Sequence, residues 1–247
     1  MKLAGQTAIV TGGGRDIGLA AALKLAGEGA NVAINYFSSS AGADAAVADI
    51  TKAGGRAFAL KGDLTKPADV DALVAKTVAE FGGINVLINN AGGLVARKTI
   101  AEMPLSHWTT VMDLNLTSLF LMTKACLAHM DDGAIVNLAS QAARDGGGPG
   151  AVAYATSKGA VMTMTRALAK EVGPKIRVNA LCPGMIDTDF HNIHTPDAGR
   201  RGYEAAAPLK RQGTTEDTAN LILFLACADS AFVTGANIDI NGGTLFS

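Results

Sequence analysis

The sequence predicts a single α/β domain over residues 1–247, built on a parallel sheet of about seven strands with helices on both faces. Three observations carry that expectation. Short apolar runs alternate with helix-period patterns along the whole chain. A glycine-rich turn follows the first apolar run and opens a helix. Residues able to do chemistry recur where apolar runs end, which in such a sheet is one edge. No internal repeat or linker divides the chain.

The first apolar run, Thr7 to Val10, leads into Thr11-Gly12-Gly13-Gly14-Arg15-Asp16-Ile17-Gly18, and a helical pattern follows (Leu19, Ala22, Leu23, Leu25, Ala26). Strand, glycine turn and helix in that order offer backbone N–H groups and a helix N-terminus to an anion, as a dinucleotide pyrophosphate requires. This is the opening of a Rossmann-like sheet. The second strand, Asn31 to Tyr36, runs into Phe37-Ser38-Ser39. A carboxylate about 20 residues beyond the glycines would bond a ribose hydroxyl and select NAD. Tyr36 stands there instead, and Arg15, Ser38 and Ser39 could receive a 2′-phosphate. The sequence therefore reads toward NADP(H), with NAD(H) as the alternative.

A helix (Ala43 to Thr51) and a third strand (Arg56 to Lys61) end at Gly62-Asp63-Leu64, where Asp63 could serve as a helix N-cap or turn acid. An amphipathic helix (Ala68 to Phe81) leads to a fourth strand, Asn85 to Asn90, and Ala91-Gly92-Gly93. Asparagines and glycines at a strand end can satisfy loop backbone and let a ligand approach closely. The next helix, about Ser106 to Met130, carries Asn115 among Val111, Met112, Leu114 and Leu116. An unsatisfied buried amide costs about 1–3 kcal/mol, so Asn115 needs a partner, and neighbouring backbone is one.

The fifth apolar run (Ala134, Ile135, Val136, Leu138) ends in Ser140 and Gln141. Gly146, Gly147, Gly148, Pro149 and Gly150 then break any helix, which resumes at Tyr154 and runs to about Val172. Tyr154 and Lys158 are four apart, so both side chains share one helix face with Cβ atoms about 5–6 Å apart. A phenol titrates near pKa ~10, and a neighbouring ammonium lowers that value. Such a tyrosine can give a proton to a carbonyl oxygen or take one from an alcohol. A serine hydroxyl can hold the same oxygen while its charge changes.

The strand Ile176 to Leu181 leads to Pro183-Gly184-Met185-Ile186-Asp187-Thr188. Residues 189 to 208 are polar and read as an irregular covering loop, with His191, His194, Arg200 and Tyr203. Two histidines three apart do not make a metal site without further ligands, and no metal is expected. A helix (Thr215 to Ala226) and a last strand (Asn237 to Ile240) precede an apolar tail of Leu245 and Phe246, which calls for a partner surface.

Composition excludes other classes. The net charge is −1 and the charges are scattered, which argues against nucleic acid as a partner. No leader-like N-terminus and no stretch near the ~20 residues of a membrane span is seen, so no membrane association and a cytoplasmic location are expected. Cys126, Cys182 and Cys227 lie in apolar settings without metal or disulfide spacing and read as packing residues.

The set Ser140…Tyr154-x-x-x-Lys158, the turn at Thr11 to Gly18 and Asn89-Asn90-Ala91-Gly92 together resemble the short-chain dehydrogenases/reductases over the whole chain. The resemblance implies hydride transfer between a nicotinamide and a carbonyl or secondary alcohol. It gives Tyr154 as acid or base, Ser140 as the polarising hydroxyl, Lys158 as the residue that lowers the tyrosine pKa and holds the ribose, and Asn115 as a water-holding relay. It further places Asp63 and Leu64 at the adenine, Asn90, Ala91 and Gly92 along the cofactor, and Pro183, Gly184, Ile186 and Thr188 at the nicotinamide. It implies a homotetramer. Asp16 departs from the pattern, standing where the family usually has glycine; its side chain is expected to turn away and complement the helix N-terminus.

For the substrate the sequence leaves two readings. One is a 3-oxoacyl thioester, as many relatives of this type reduce. The other is a sugar, polyol or keto-uronate: Asn-Asn-Ala-Gly-Gly-Leu-Val-Ala-Arg-Lys, Gly-Gly-Gly-Pro-Gly and Asp-Thr-Asp-Phe-His resemble stretches in reductases of alginate-derived keto-uronates, and Arg97, Lys98, Gln141, Arg144 and His191 are candidates to meet a polar or acidic substrate. Ser140 lies fourteen positions before Tyr154, one more than the commonest spacing, which alters a wall of the substrate site. A non-catalytic dinucleotide sensor is the reading of a different class.

Overall fold

A computed structural model describes residues 1–246. Strands β1 (Thr7–Val10), β2 (Asn31–Tyr36), β3 (Ala57–Lys61), β4 (Val86–Asn89), β5 (Gly133–Leu138), β6 (Ile176–Pro183) and β7 (Asn237–Ile240) form one parallel sheet in the order β3-β2-β1-β4-β5-β6-β7. The order reverses direction between β1 and β4. That reversal opens a crevice beyond the carboxyl ends of those two strands.

The helices are α1 (Asp16–Gly27), α2 (Ser40–Lys52), α3 (Pro67–Phe81), α4 (Leu105–Met112), α5 (Ser118–Leu127), α6 (Ala142–Asp145), α7 (Val152–Val172), α8 (Asp189–His194), α9 (Asp197–Ala206) and α10 (Thr215–Ala226). Alternation along each strand sends side chains to opposite faces. Ala8 and Val10 of β1, Val86 and Ile88 of β4 and Val136 of β5 pack in one cluster with Leu25, Ile50 and Ile222 from α1, α2 and α10. Ile9, Leu87 and Ile135, the residues between them, pack in a second with Leu73, Met122 and Leu168 from α3, α5 and α7. Both faces are thus covered, which explains strands that read as continuous apolar runs. Among the described residues no helix is long and apolar enough to cross a membrane.

Three segments depart from the sequence expectation. The long helix about Ser106 to Met130 is interrupted by a π-helical turn, Asp113–Thr117, which contains Asn115. The helix expected to resume at Tyr154 begins two residues earlier, at Val152. The segment 189 to 208, expected as an irregular loop, contains the short helices α8 and α9. Helix α8 is fastened at its two ends, to Asp16 and Arg97, and α9 by side chains along its length, Arg200 to Gln212 and Asn192 and Tyr203 to the carbonyl of Asn241.

Candidate active site

A crevice of about 590 Å³ lies beyond the carboxyl ends of the strands. Its walls include Gly12, Gly14 to Gly18, Tyr36 to Ser39, Asn90 to Leu94, Ser140, Tyr154, Lys158 and Pro183 to Ile186. Thr188, Phe190, His191 and His194 close it from the covering segment.

The glycine turn is fixed by the end of β4. Thr11 Oγ1 accepts from the N–H groups of Asn90 and Ala91, both at 2.9 Å, and Asn90 Nδ2 donates to the carbonyls of Thr11 and Gly12. Gly12 has a left-handed φ of 61°, open to glycine at no steric cost. A side chain at Gly18 would collide with the Gly12 backbone and Asn90, so the turn and helix can close only on glycine. No side chain caps α1 at Arg15. Its first N–H groups face the crevice unclaimed by side chains, which suits a dinucleotide pyrophosphate. Tyr36, Ser38 and Ser39 border the same region.

Asp63 and Leu64 are not part of the crevice wall. Asp63 accepts from the N–H and hydroxyl of Thr65 at 3.0 and 2.7 Å, the turn-acid arrangement. Asp16 is the acidic residue of the first turn of α1, and its Oδ1 also accepts from the N–H of Asp189, the first residue of α8, at 3.2 Å.

At the other end of the crevice, Ser140 sits just past β5 and lines the same wall as Tyr154 on α7, close enough to act on the phenol. The Ser140 hydroxyl favours phenolate, but burial outweighs it and pushes the Tyr154 phenol above its ordinary range. The expected lowering by Lys158 is not found. Lys158 is 4 % exposed, donates to the carbonyl of Leu138 at 2.6 Å, and stands 5.9 Å from the centroid of the Tyr154 ring. Burial lowers its own pKa to about 8.

Asn115 is 1 % exposed. Its Oδ1 accepts from Gly93 N at 2.9 Å, and Nδ2 donates to Gly93 O at 2.8 Å and Val111 O at 2.9 Å. The amide therefore takes the backbone-bonded arrangement, tying the Asn90 to Gly93 loop to the π-helical turn. It still converges with Lys158: a Cβ placed on Gly92 would lie 2.6 Å from Asn115 Oδ1 and 3.1 Å from Lys158 Nζ.

The covering segment contributes Phe190, which sequence reading did not single out. Its ring packs on Tyr154 with centroids 5.7 Å apart and on His191 and His194 at 5.1 Å. A phenylalanine at the head of a polar run was the available signal. His191 Nδ1 meets Thr195 Oγ1 at 2.9 Å, and burial, aided by the Arg200 charge, lowers the imidazole to about 4. Gln141 borders the crevice and accepts from Thr244. Arg97 also borders it, donating to the carbonyls of Pro149 and His194. Arg144 does not belong to the site: it pairs with Asp239 at 2.6 Å and donates to Asn237 O, fastening α6 to β7.

A proton donor, a second hydroxyl and a buried ammonium thus converge opposite an anion-receiving turn. A family model described as enoyl-(acyl carrier protein) reductase matches residues 12–244. A 3-oxoacyl-[acyl-carrier-protein] reductase of Synechocystis is 39 % identical over 247 residues, covering 98 % of this chain and 97 % of the relative. Among solved structures, a blue fluorescent protein from a metagenomic library in complex with NADPH superposes with a TM-score of 0.93 at 35 % identity over the full length of both chains. A short chain dehydrogenase from Burkholderia cenocepacia in complex with NADP gives 0.93 at 32 % identity over 99 % of each.

Proposed function

The chain belongs to the short-chain dehydrogenase/reductase family of oxidoreductases, and from that premise we propose that it is an NADPH-dependent reductase of a small polar carbonyl compound, first of all of the 3-oxoacyl thioester type. The observation that carries the reading is that Tyr154, Ser140 and Lys158 line one crevice with the glycine turn.

The nicotinamide supplies the hydride when bound. Tyr154 supplies the proton: burial keeps the phenol protonated at neutral pH, the state that a donor to a carbonyl oxygen needs. Ser140 holds that oxygen through its hydroxyl as negative charge develops there. Lys158 provides a fixed cation in the wall of the crevice, and would hold a cofactor ribose there. A part for Asn115 in returning the proton rests on its convergence with Lys158 at Gly92, which is itself exposed.

Preference for NADP(H) is supported by Tyr36 in place of a carboxylate, with Ser38 and Ser39 beside it in the crevice wall; Arg15 lines the same crevice with its guanidinium toward the Asp16 and Asp189 carboxylates, and NAD(H) is the alternative. Exposed apolar side chains at Leu105, Phe120, Phe232 and Phe246 support a homotetramer. Three free, buried cysteines suit the reducing cytoplasm.

One observation favours a second substrate reading. Arg97 borders the crevice with two backbone carbonyls as partners and, among the described residues, no carboxylate within 4 Å. A cation so placed suits an acidic sugar such as a keto-uronate. Oxidation of NADPH and of NADH, followed separately against an acetoacetyl thioester, a diketone, simple aldehydes and a keto-uronate, separates the readings. Turnover of the thioester supports the first, turnover confined to the keto-uronate the second, and tight cofactor binding without any turnover would leave a dinucleotide sensor.

A further inference from the structure

Asp16 occupies a backbone position that glycine would fill without strain, at φ 51°. Aspartate is among the few residues that tolerate this left-handed region, and it adds what glycine lacks, an acceptor. That acceptor takes the N–H of Asp189 at 3.2 Å, across 173 residues of sequence. Arg15 reinforces the contact: its Nη1 lies 3.5 Å from the Asp189 carboxylate and 3.7 Å from that of Asp16.

Helix α8 needs such help. Thr188 makes no side-chain cap; its hydroxyl donates to Ile186 O. Six residues make an isolated helix marginal. Its other end is held by Arg97, whose Nε donates to His194 O at 3.3 Å. Between the two fastenings Phe190 packs on the Tyr154 ring.

We propose that Asp16 is a positioning residue that fastens the leading end of the substrate cover to the cofactor turn, and so sets Phe190 over Tyr154. The placement of the cover then depends on the turn that receives the cofactor, which couples the two halves of the crevice. The consequence for substrate rests on the reductase reading; the fastening itself does not.

The test is hydrogen–deuterium exchange, read by mass spectrometry on the full chain without ligands, for the parent, Asp16→Gly and Asp16→Asn. Glycine keeps the backbone conformation and removes the acceptor; asparagine keeps a side-chain oxygen. Asp16→Gly is expected to exchange roughly three- to tenfold faster in the peptide covering 189 to 194, with sheet peptides unchanged. Asp16→Asn is expected to stay near the parent. Parental exchange in Asp16→Gly would overturn the proposal, as would loss of protection in Asp16→Asn equal to that in Asp16→Gly. NADPH binding to Asp16→Gly, followed by cofactor fluorescence, is expected within threefold of the parent; a gain of tenfold without faster exchange would show that the aspartate instead obstructs the phosphates. Exchange requires no turnover, so failure of the fastening and failure of the reductase reading are separate results.

Discussion

Lys158 donates its ammonium to the carbonyl oxygen of Leu138 at 2.6 Å, at the end of the strand that delivers Ser140. The lysine is thus fixed by backbone, and its charge is held in a buried place that lowers its pKa to about 8. A buried cation that costs stability suits a functional part rather than a packing one. Lys158→Met, similar in reach but uncharged, is expected to lower kcat by about 10²-fold or more, and to unfold at a temperature no lower than the parent. Steady-state rates and a melting curve decide it; near-parental turnover would remove Lys158 from the mechanism.

The pH dependence of stability should carry the mark of His191. Its folded pKa is about 4, held down first by burial and then by Arg200, against an ordinary value of 6.5. Between those values the unfolded chain binds the proton and the folded protein does not. Stability therefore falls as the pH is lowered through that window, by at most about 3 kcal/mol from this group. His191→Asn is expected to flatten the slope of unfolding free energy between about pH 4 and 6.5, measured by denaturant titration at several pH values. An unchanged slope would contradict the burial of a neutral imidazole.

Arg144 is expected to act on stability and not on substrate. Its pairing with Asp239 leaves the two side chains 16 % and 15 % exposed. Arg144→Met should cost about 1–3 kcal/mol, seen in denaturant unfolding, with the substrate KM near the parental value. A raised KM at unchanged stability would return Arg144 to the substrate site.

Cofactor choice is expected to turn on the end of β2. Tyr36→Asp restores a carboxylate where a ribose 2′-hydroxyl would be read and a 2′-phosphate repelled. NADPH affinity should fall at least about tenfold, while NADH affinity holds or rises, in parallel fluorescence titrations. Equal losses for both cofactors would place Tyr36 outside the ribose site.

Much of this was legible in the chain because it is local. The bounds of β2, α10 and β7 follow from apolar runs and their punctuation, and the glycine turn and the Ser140, Tyr154, Lys158 set are recognisable from spacing. The side-chain partners that the chain did not announce are distant in sequence. Arg144 meets a carboxylate 95 positions away, Asp16 a backbone amide 173 positions away, and Asn115 a loop 22 positions before it. Periodicity carries no trace of such partners. The Tyr154 phenol is raised for a similar reason: burial by Phe190 and its neighbours depends on tertiary packing, whereas the Tyr-x-x-x-Lys spacing suggests only the opposing charge.

The central claim is that Tyr154 delivers the proton. The most direct measurement is NADPH oxidation by Tyr154→Phe with the best carbonyl substrate of the panel, beside its NADPH binding. The account predicts turnover lower by about 10²-fold or more, with cofactor affinity nearly intact. Turnover within tenfold of the parent would contradict it.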